Sequence, residues 1–377
     1  MKTIELHIIQ SLPSSNVNRD DTGSPKTATF GGVPRLRVSS QSWKKAMRDH
    51  PAFAITGQPR AERTRLLKAK LLEQLEPSYQ HHNVEETEES SAVLSALLAS
   101  LFSKMDKDGD RTSVALYVSQ SEMETTAQAI AENWEALLDE DTQADTIKGI
   151  VKYLTKRFRG VTSSPEIALF GRMMATNPHL AMDAACQVSP ALSTHATDIE
   201  EDFFTAVDTL ADHGSGAAMM GYTPFASGTV YRYLALHWPQ LVANLAGDVD
   251  LSKSTVEAFI NAAVLSMPSG MKNRFANNVP PSFVMAVVRD GGFPLSLVNA
   301  FERPVRIVNW REPGLIQPSV KALEAHWLRL VQVYGEKDIV ASPIVRGTHD
   351  LELSEATRGC EVDSLADLVQ QVVDTLR

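Results

Sequence analysis

Residues 3–9 alternate, with Ile4, Leu6 and Ile8 on one face and Thr3, Glu5 and His7 on the other, the period of a half-buried strand. Residues 11–34 are rich in Ser, Asn, Asp, Gly and Pro and read as one long loop. A stretch of that length is usually functional or disordered. Arg35-Leu36-Arg37-Val38 alternates again, a short strand with both arginines on one face. Ser39-Ser40-Gln41-Ser42 then supplies N-cap residues for a helix from about Trp43. On it Lys44 and Arg48 share one side, while Trp43 and Met47 share another and pack inward. From 58 to 160 the period becomes helical: 61–76 with Leu67, Leu71 and Leu75, then 90–102, 122–138 and 146–158. Beyond Gly160 the pattern is mixed. Residues 167–172 predict a strand running into a loop, and 191–227 are Gly-, Ser- and Met-rich without a clear period. Strands are predicted over 229–236 and 284–288, the latter before a turn at Asp290-Gly291-Gly292, and helices over 317–333 and 362–376. No internal repeat is visible.

Composition changes this picture little. At 43% hydrophobic and 22% charged residues the chain is of ordinary globular type, and its 377 residues suffice for two or three compact units. No run approaches the ~18 apolar residues of a membrane span. The charged N-terminal run reads as a strand, not a signal peptide. Two distant cysteines, Cys186 and Cys360, fit a reducing cytoplasm.

Charge changes it more. The chain has a formal net charge of −10, yet residues 19–48 hold seven basic and two acidic residues, +5 in all. A basic block in an acidic protein points to a polyanion. Its charges fall on three elements: a loop (Arg19, Lys26), a strand (Arg35, Arg37) and the first turn of a helix (Lys44, Lys45, Arg48). A capped helix N-terminus offers N–H groups to a phosphate, and Gly31-Gly32 lets backbone approach a ligand. The bland alternative is a solvated surface. Phe203-Phe204-Thr205 is the second candidate: adjacent aromatics beside Glu200, Glu201 and Asp202 are either the core of a small hairpin or exposed wedges for bases.

Other chemistry finds less support. There is no phosphate-binding G-x-x-x-x-G-K-[ST] loop, and Gly214-Ser215-Gly216 lacks a third glycine. Asp106-Lys107-Asp108-Gly109-Asp110 begins like a calcium loop, but Arg111 and Tyr117 stand where Gly and Glu belong, so a solvated turn is the better reading. His81 and His82 are adjacent and on a helix diverge by about 100°, poorly placed to share a metal. No serine is marked as activated, and no cofactor is implied.

The run Asn18-Arg19-Asp20-Asp21, then Lys26, Phe30-Gly31-Gly32, Arg35-x-Arg37 and Ser39-Ser40-Gln41-Ser42-x-Lys44-x-Ala46-Met47-Arg48 resembles the opening of the CasC family, the backbone subunit of the type I-E CRISPR Cascade complex. Further matches follow in order: Gly171-Arg172-Met173, 202–208, Ser227-Gly228, Tyr231-Arg232-Tyr233, Pro294-Leu295-Ser296, Asn299-Ala300-Phe301-Glu302 and Gln317-Pro318-Ser319. The resemblance implies an α+β fold shaped like a hand. A ferredoxin-like, RNA-recognition-type palm (1–57, 161–190, 227–377) would carry a helical fingers insertion (58–160) and an extended thumb hairpin (191–226). It also implies a non-catalytic cytoplasmic scaffold. Copies stack head to tail along CRISPR guide RNA, beside large, small and guide-end-capping subunits, and present the guide to a target DNA strand. The family's RNA-contacting positions fall on Arg19, Lys26, Lys44, Lys45, Arg48, Gly171, Arg172, Met173, Phe203, Phe204 and Thr205.

Three rival functions are weighed. A metal-dependent ribonuclease of the same superfamily would use a palm-loop carboxylate, Asp20 or Asp21. A guide-processing endoribonuclease would need a histidine in the basic window, which has none. A duplex-DNA repressor lacks a helix-turn-helix pattern to support it.

Overall fold

The computed structural model describes residues 1–82, 88–206, 219–307 and 314–376, with backbone alone for 76–82. The readings at His81 and His82, at Val207 and Asp208, and at Gly214-Ser215-Gly216 therefore concern side chains or residues outside the described ones. Two compact units are present: Met1–Ala52 with Gln187–Trp238 and Val256–Arg377, and Phe53–Cys186 with Pro239–Thr255. Among the described residues no helix is long and apolar enough to cross a membrane.

The first unit begins with β1 (Lys2–Ser15), twice the expected length. β2 (Thr27–Phe30) and β3 (Val33–Val38) follow, so the expected long loop shrinks to 16–26. Gly31 and Gly32 turn this hairpin with φ of 61° and 77°, the sign a two-residue turn between twisted strands requires. A Cβ on Gly31 would sit 1.7 Å from the Glu302 carbonyl oxygen, so the close backbone approach read from these glycines is made to the protein itself. Helix α1 (Ser40–Arg48) starts earlier than the expected Trp43, with the Ser39 hydroxyl accepting from the Ser42 N–H, so Lys45 and Arg48 lie in its last turn and not, as expected, its first.

The second unit holds β4 (Glu62–Thr64), α2 (Leu67–His82), α3 (Glu88–Leu101), β5 (Leu116–Val118), α4 (Gln120–Ala131), α5 (Trp134–Leu138), α6 (Gln143–Phe158) and α7 (Pro165–Phe170). Leu67, Leu71 and Leu75 are buried at helical spacing with Leu94, Leu97, Leu98 and Leu101 in one core. Two sequence readings need correction. The first residues of the expected 61–76 helix form β4, paired with β5. Residues 167–170 belong to α7, not a strand: Ser164 caps it and Pro165 opens it, and a short apolar run carries no period to separate the two.

Next come β6 (Cys186–Val188), β7 (Ala191–Ser193), β8 (Glu200–Ala206), β9 (Met219–His237), α8 (Trp238–Asn244), α9 (Val249–Leu265), α10 (Lys272–Phe275), β10 (Phe283–Asp290), α11 (Ile316–Tyr334), β11 (Ile339–Ala341), β12 (Ile344–Arg346), α12 (Glu355–Arg358) and α13 (Leu365–Asp374). The main sheet runs β11-β10-β1-β9-β7-β3-β2, with antiparallel pairing throughout this order and β6, β8 and β12 joined alongside.

β1 lies between β9 and β10, with Ile4 opposite Leu236 on one side and Val288 on the other. Both its edges are therefore paired, and residues 3–9, expected to be half-buried, are buried on both faces: Glu5 and His7 have no exposed surface. The Glu5 carboxylate and His7 Nδ1 find partners inside the protein, while His7 Nε2 has no hydrogen-bond partner. Arg289 donates to Glu5 at 2.5 Å and to Asp338 at 3.2 Å, and the Leu295 N–H donates to Glu5 at 2.6 Å. Tyr231 accepts from the Leu297 N–H at 3.0 Å and lies 2.9 Å from His7 Nδ1. Desolvation first and the Arg289 charge second pull the His7 pKa down to about 3. Its unfolded pKa is about 6.5, so between these values the unfolded chain binds the extra proton and acidification favours unfolding. Relative to His7→Gln, the wild type should lose roughly 1.4 kcal/mol per pH unit below about pH 6. Urea titrations of both proteins from pH 7 to 4 measure it, and parallel pH profiles would count against a buried neutral imidazole.

Candidate nucleic-acid interface

The basic loop is rooted at the start of α1. Asn18 Oδ1 accepts from the Ser39 N–H at 2.8 Å, the Lys26 N–H bonds to the Asn18 carbonyl, and the Arg37 N–H bonds to the Lys26 carbonyl. α1 is itself pinned through Trp43, over whose ring the buried Arg232 guanidinium lies at 3.6 Å; Arg232 also donates to Gln10 at 2.9 Å. Arg19 is exposed, and Lys26, Lys44 and Arg48 are half-buried. Lys45 is exposed and pairs with Asp49 at 2.5 Å. The Asn18–Ser39 bond thus joins the loop of Arg19 and Lys26 to the helix that carries Lys44, Lys45 and Arg48.

Arg35 does not join them. It is fully buried and donates to the carbonyls of Phe30, Ser193, Phe301 and Glu302 at 2.7–3.3 Å. The expected outward arginine face of β3 is thus half structural, with Arg37 half-buried. Asp20 builds the loop: its Oδ1 accepts from the Thr22 N–H and hydroxyl and the Ser24 N–H at 2.7–2.9 Å, and these bonds, led by the Thr22 hydroxyl, hold its pKa below the usual carboxylate value.

Gly171, Arg172 and Met173 lie in the second unit. Gly171 ends α7 with φ 73°, where a Cβ would meet the Met182 carbonyl oxygen at 2.8 Å. Arg172 is buried, donating to Glu122 at 2.8 Å and to the carbonyls of Tyr117 and Leu180. As a direct phosphate ligand this guanidinium is a poor candidate, because its donors are committed inside the protein. Its backbone pairs with Met182 and leaves Met173 standing out, 87% exposed. On α6 the exposed Lys148, Lys152 and Lys156 repeat every four residues beside exposed Arg157 and Arg159, a second basic stripe that the charge pattern alone does not single out.

Phe203, Phe204 and Thr205 sit on β8, which pairs antiparallel with β9 from Glu200↔Phe225 to Ala206↔Met219. Neighbours on a strand face opposite ways, so the two phenylalanines cannot act alike. Phe203 is 51% exposed and lies 5.2 Å from its cross-strand partner Tyr222, itself 67% exposed. Phe204 is half-buried on the other face, under the Arg274 guanidinium at 5.1 Å and against the backbone of Gly221. Of the two readings left open, the exposed pair suits Phe203, and Phe204 is packed. Tyr222 and Arg274 escaped sequence reasoning. The stretch 219–225 has no clean alternation, and Arg274 belongs to a segment without a period.

Asp106 accepts from the N–H groups of Asp110 and Arg111 at 3.2 Å, a loop closed on itself as expected. Among the described residues no group of three His, Cys, Asp or Glu side chains is placed to hold a metal.

A family model described as CT1975-like protein matches residues 4–371. A chain of a solved "CRISPR RNA-guided surveillance complex, pre-nicking" is 29% identical, with 100% of both chains covered and a TM-score of 0.81. A chain of a "CRISPR RNA-guided surveillance complex" is 26% identical, with 99% of each covered and a TM-score of 0.71. Among curated proteins nothing matches. The resemblance to a Cas family read from the N-terminal run is borne out, and the match runs through the helical block, where the sequence motifs are sparsest: the chain belongs to the CT1975-like protein family.

Proposed function

We propose that this protein is a non-catalytic, cytoplasmic backbone subunit of a CRISPR surveillance complex, of CasC type, that binds guide RNA and polymerises along it. The observation that carries the reading is a basic set on two joined elements within an acidic chain: Arg19 and Lys26 on a loop tied to the helix cap, and Lys44, Lys45 and Arg48 on that helix. Phosphate contacts of this kind position a strand without reading its sequence. Watson–Crick pairing of the guide to target DNA then supplies specificity. The full-length likeness to chains of RNA-guided complexes supports the same role. In this reading the main sheet is a ferredoxin-like palm, the second unit the fingers and the β8–β9 ribbon the thumb. Large, small and guide-end-capping subunits complete the assembly. Head-to-tail contacts are heterologous and give open filaments, whose length the RNA must set.

The occupied Asp20 carboxylate favours a loop-building role over ribonuclease chemistry. Native mass spectrometry of the chain with guide RNAs of increasing length should give a ladder whose copy number rises with length. With magnesium or manganese, RNA paired to the guide should stay intact. An RNA-independent mass would sink the scaffold reading, and cleavage lost in Asp20→Asn or Asp21→Asn would replace it with the ribonuclease.

A further inference from the structure

Asn16, Gly270, Arg274 and Phe275 tie the basic loop to the ribbon, and none of these four is a residue assigned to RNA. Asn16 is fully buried, and its side-chain nitrogen donates to the Gly23 carbonyl in the basic loop and to the Pro224 carbonyl in β9, both at 2.9 Å. Gly270 lies so close to this segment that a Cβ would stand 2.3 Å from the Val17 carbonyl oxygen. Four residues on, Arg274 donates to the buried Thr223 hydroxyl at 2.6 Å and covers the Phe204 ring. Phe275 meets Phe225 at 6.3 Å. The loop making these contacts holds Met271 and Ala276 at φ 47° and 46°, a left-handed backbone that non-glycine residues adopt only where their surroundings impose it.

All the ribbon contacts of α10 fall on one face: Thr223 and Phe204, with Phe225. The opposite face carries Phe203, Tyr222, Thr205 and Met220, all exposed. We infer that Asn16 and Arg274 are positioning residues, a brace fixing the span between the phosphate-contacting loop and the Phe203–Tyr222 face of the ribbon. Arg274 acts by clamping Phe204, and touches no RNA. This rests on the RNA-binding reading for its purpose but not for its mechanics.

The full chain tests it in two arms. Without RNA, Arg274→Ala should speed amide hydrogen exchange in β8 and the paired part of β9 while leaving β1 and β10 protected, and Arg274→Lys should restore most of the protection. With single-stranded RNA, Phe203→Ala should weaken binding about 5- to 150-fold in the wild-type background, the value of one stacked base, and under about threefold once Arg274 is alanine, because coupled residues are non-additive. The salt dependence of binding should keep its slope in Arg274→Ala, whereas freeing one phosphate of its cationic partner would lower it by about 0.7. Unchanged exchange, additive Phe203 and Arg274 effects, or a slope reduced by that amount would each overturn the brace. If the wild type binds no RNA, the functional reading falls and the exchange arm still decides the brace.

Discussion

Replacing Arg19, Lys26 and Lys44 together by glutamate is expected to abolish guide-dependent assembly while the chain stays folded. Each phosphate left without its cation on a single strand lowers the salt slope by about 0.7, so three lower it by about 2, near a hundredfold in affinity at 0.1 M salt relative to 1 M. Repulsion by the new carboxylates adds to this. These side chains are exposed or half-buried and support no buried network, and such substitutions change stability by about 0.5 kcal/mol or less each. Fluorescence-anisotropy titrations at several salt concentrations, beside urea unfolding of the same protein, measure both quantities. A folded triple variant with unaltered RNA affinity and slope would remove the basic block from the interface.

Arg35 should give the opposite pattern. Arg35→Met keeps much of the side-chain volume but strips donors from four carbonyls. Each buried acceptor left unpaired costs about 1–3 kcal/mol, so four together should cost at least about 4 kcal/mol. Arg35→Lys should fall between, since an ammonium cannot reproduce the planar fork. RNA affinity per folded molecule should not move in either. A loss below about 1 kcal/mol in urea unfolding would mean water replaces the guanidinium at little cost.

The contrast between Arg35 and Arg19 shows where sequence stops being informative. Both stand in one basic run, and nothing local says which faces water. That is decided by Phe301 and Glu302, residues some 270 positions away, whose carbonyls close over β3. Helical periods are easier: Leu67, Leu71 and Leu75 define their own buried face, and α1 forms with its cap as read. β1 is legible as a strand, but its second covered face is not, because Glu5 and His7 look solvent-seeking until Arg289 and Tyr231 are beside them. Several motifs behind the family resemblance prove to be latches of this kind. Tyr231 holds Leu297, Arg232 stacks on Trp43, and Ser319 bonds Thr194 across the core. A resemblance built on such residues reports fold more directly than contact. The ribbon shows the complementary limit, since only pairing register separates the exposed Phe203 from the clamped Phe204.

The central position of β1 also bears on how the chain is made. Its pairing partners, Leu236 and Val288 for Ile4, emerge more than two hundred residues later. At translation rates of about 5–20 residues per second, this apolar strand waits on the order of ten seconds to a minute for its neighbours. The helices of the second unit, whose core residues come from one contiguous stretch between Leu67 and Leu180, can pack within that interval. During synthesis β1 is therefore an unpaired edge on both sides, the kind of segment that chaperones cover, and its second edge can close only once β10 has emerged.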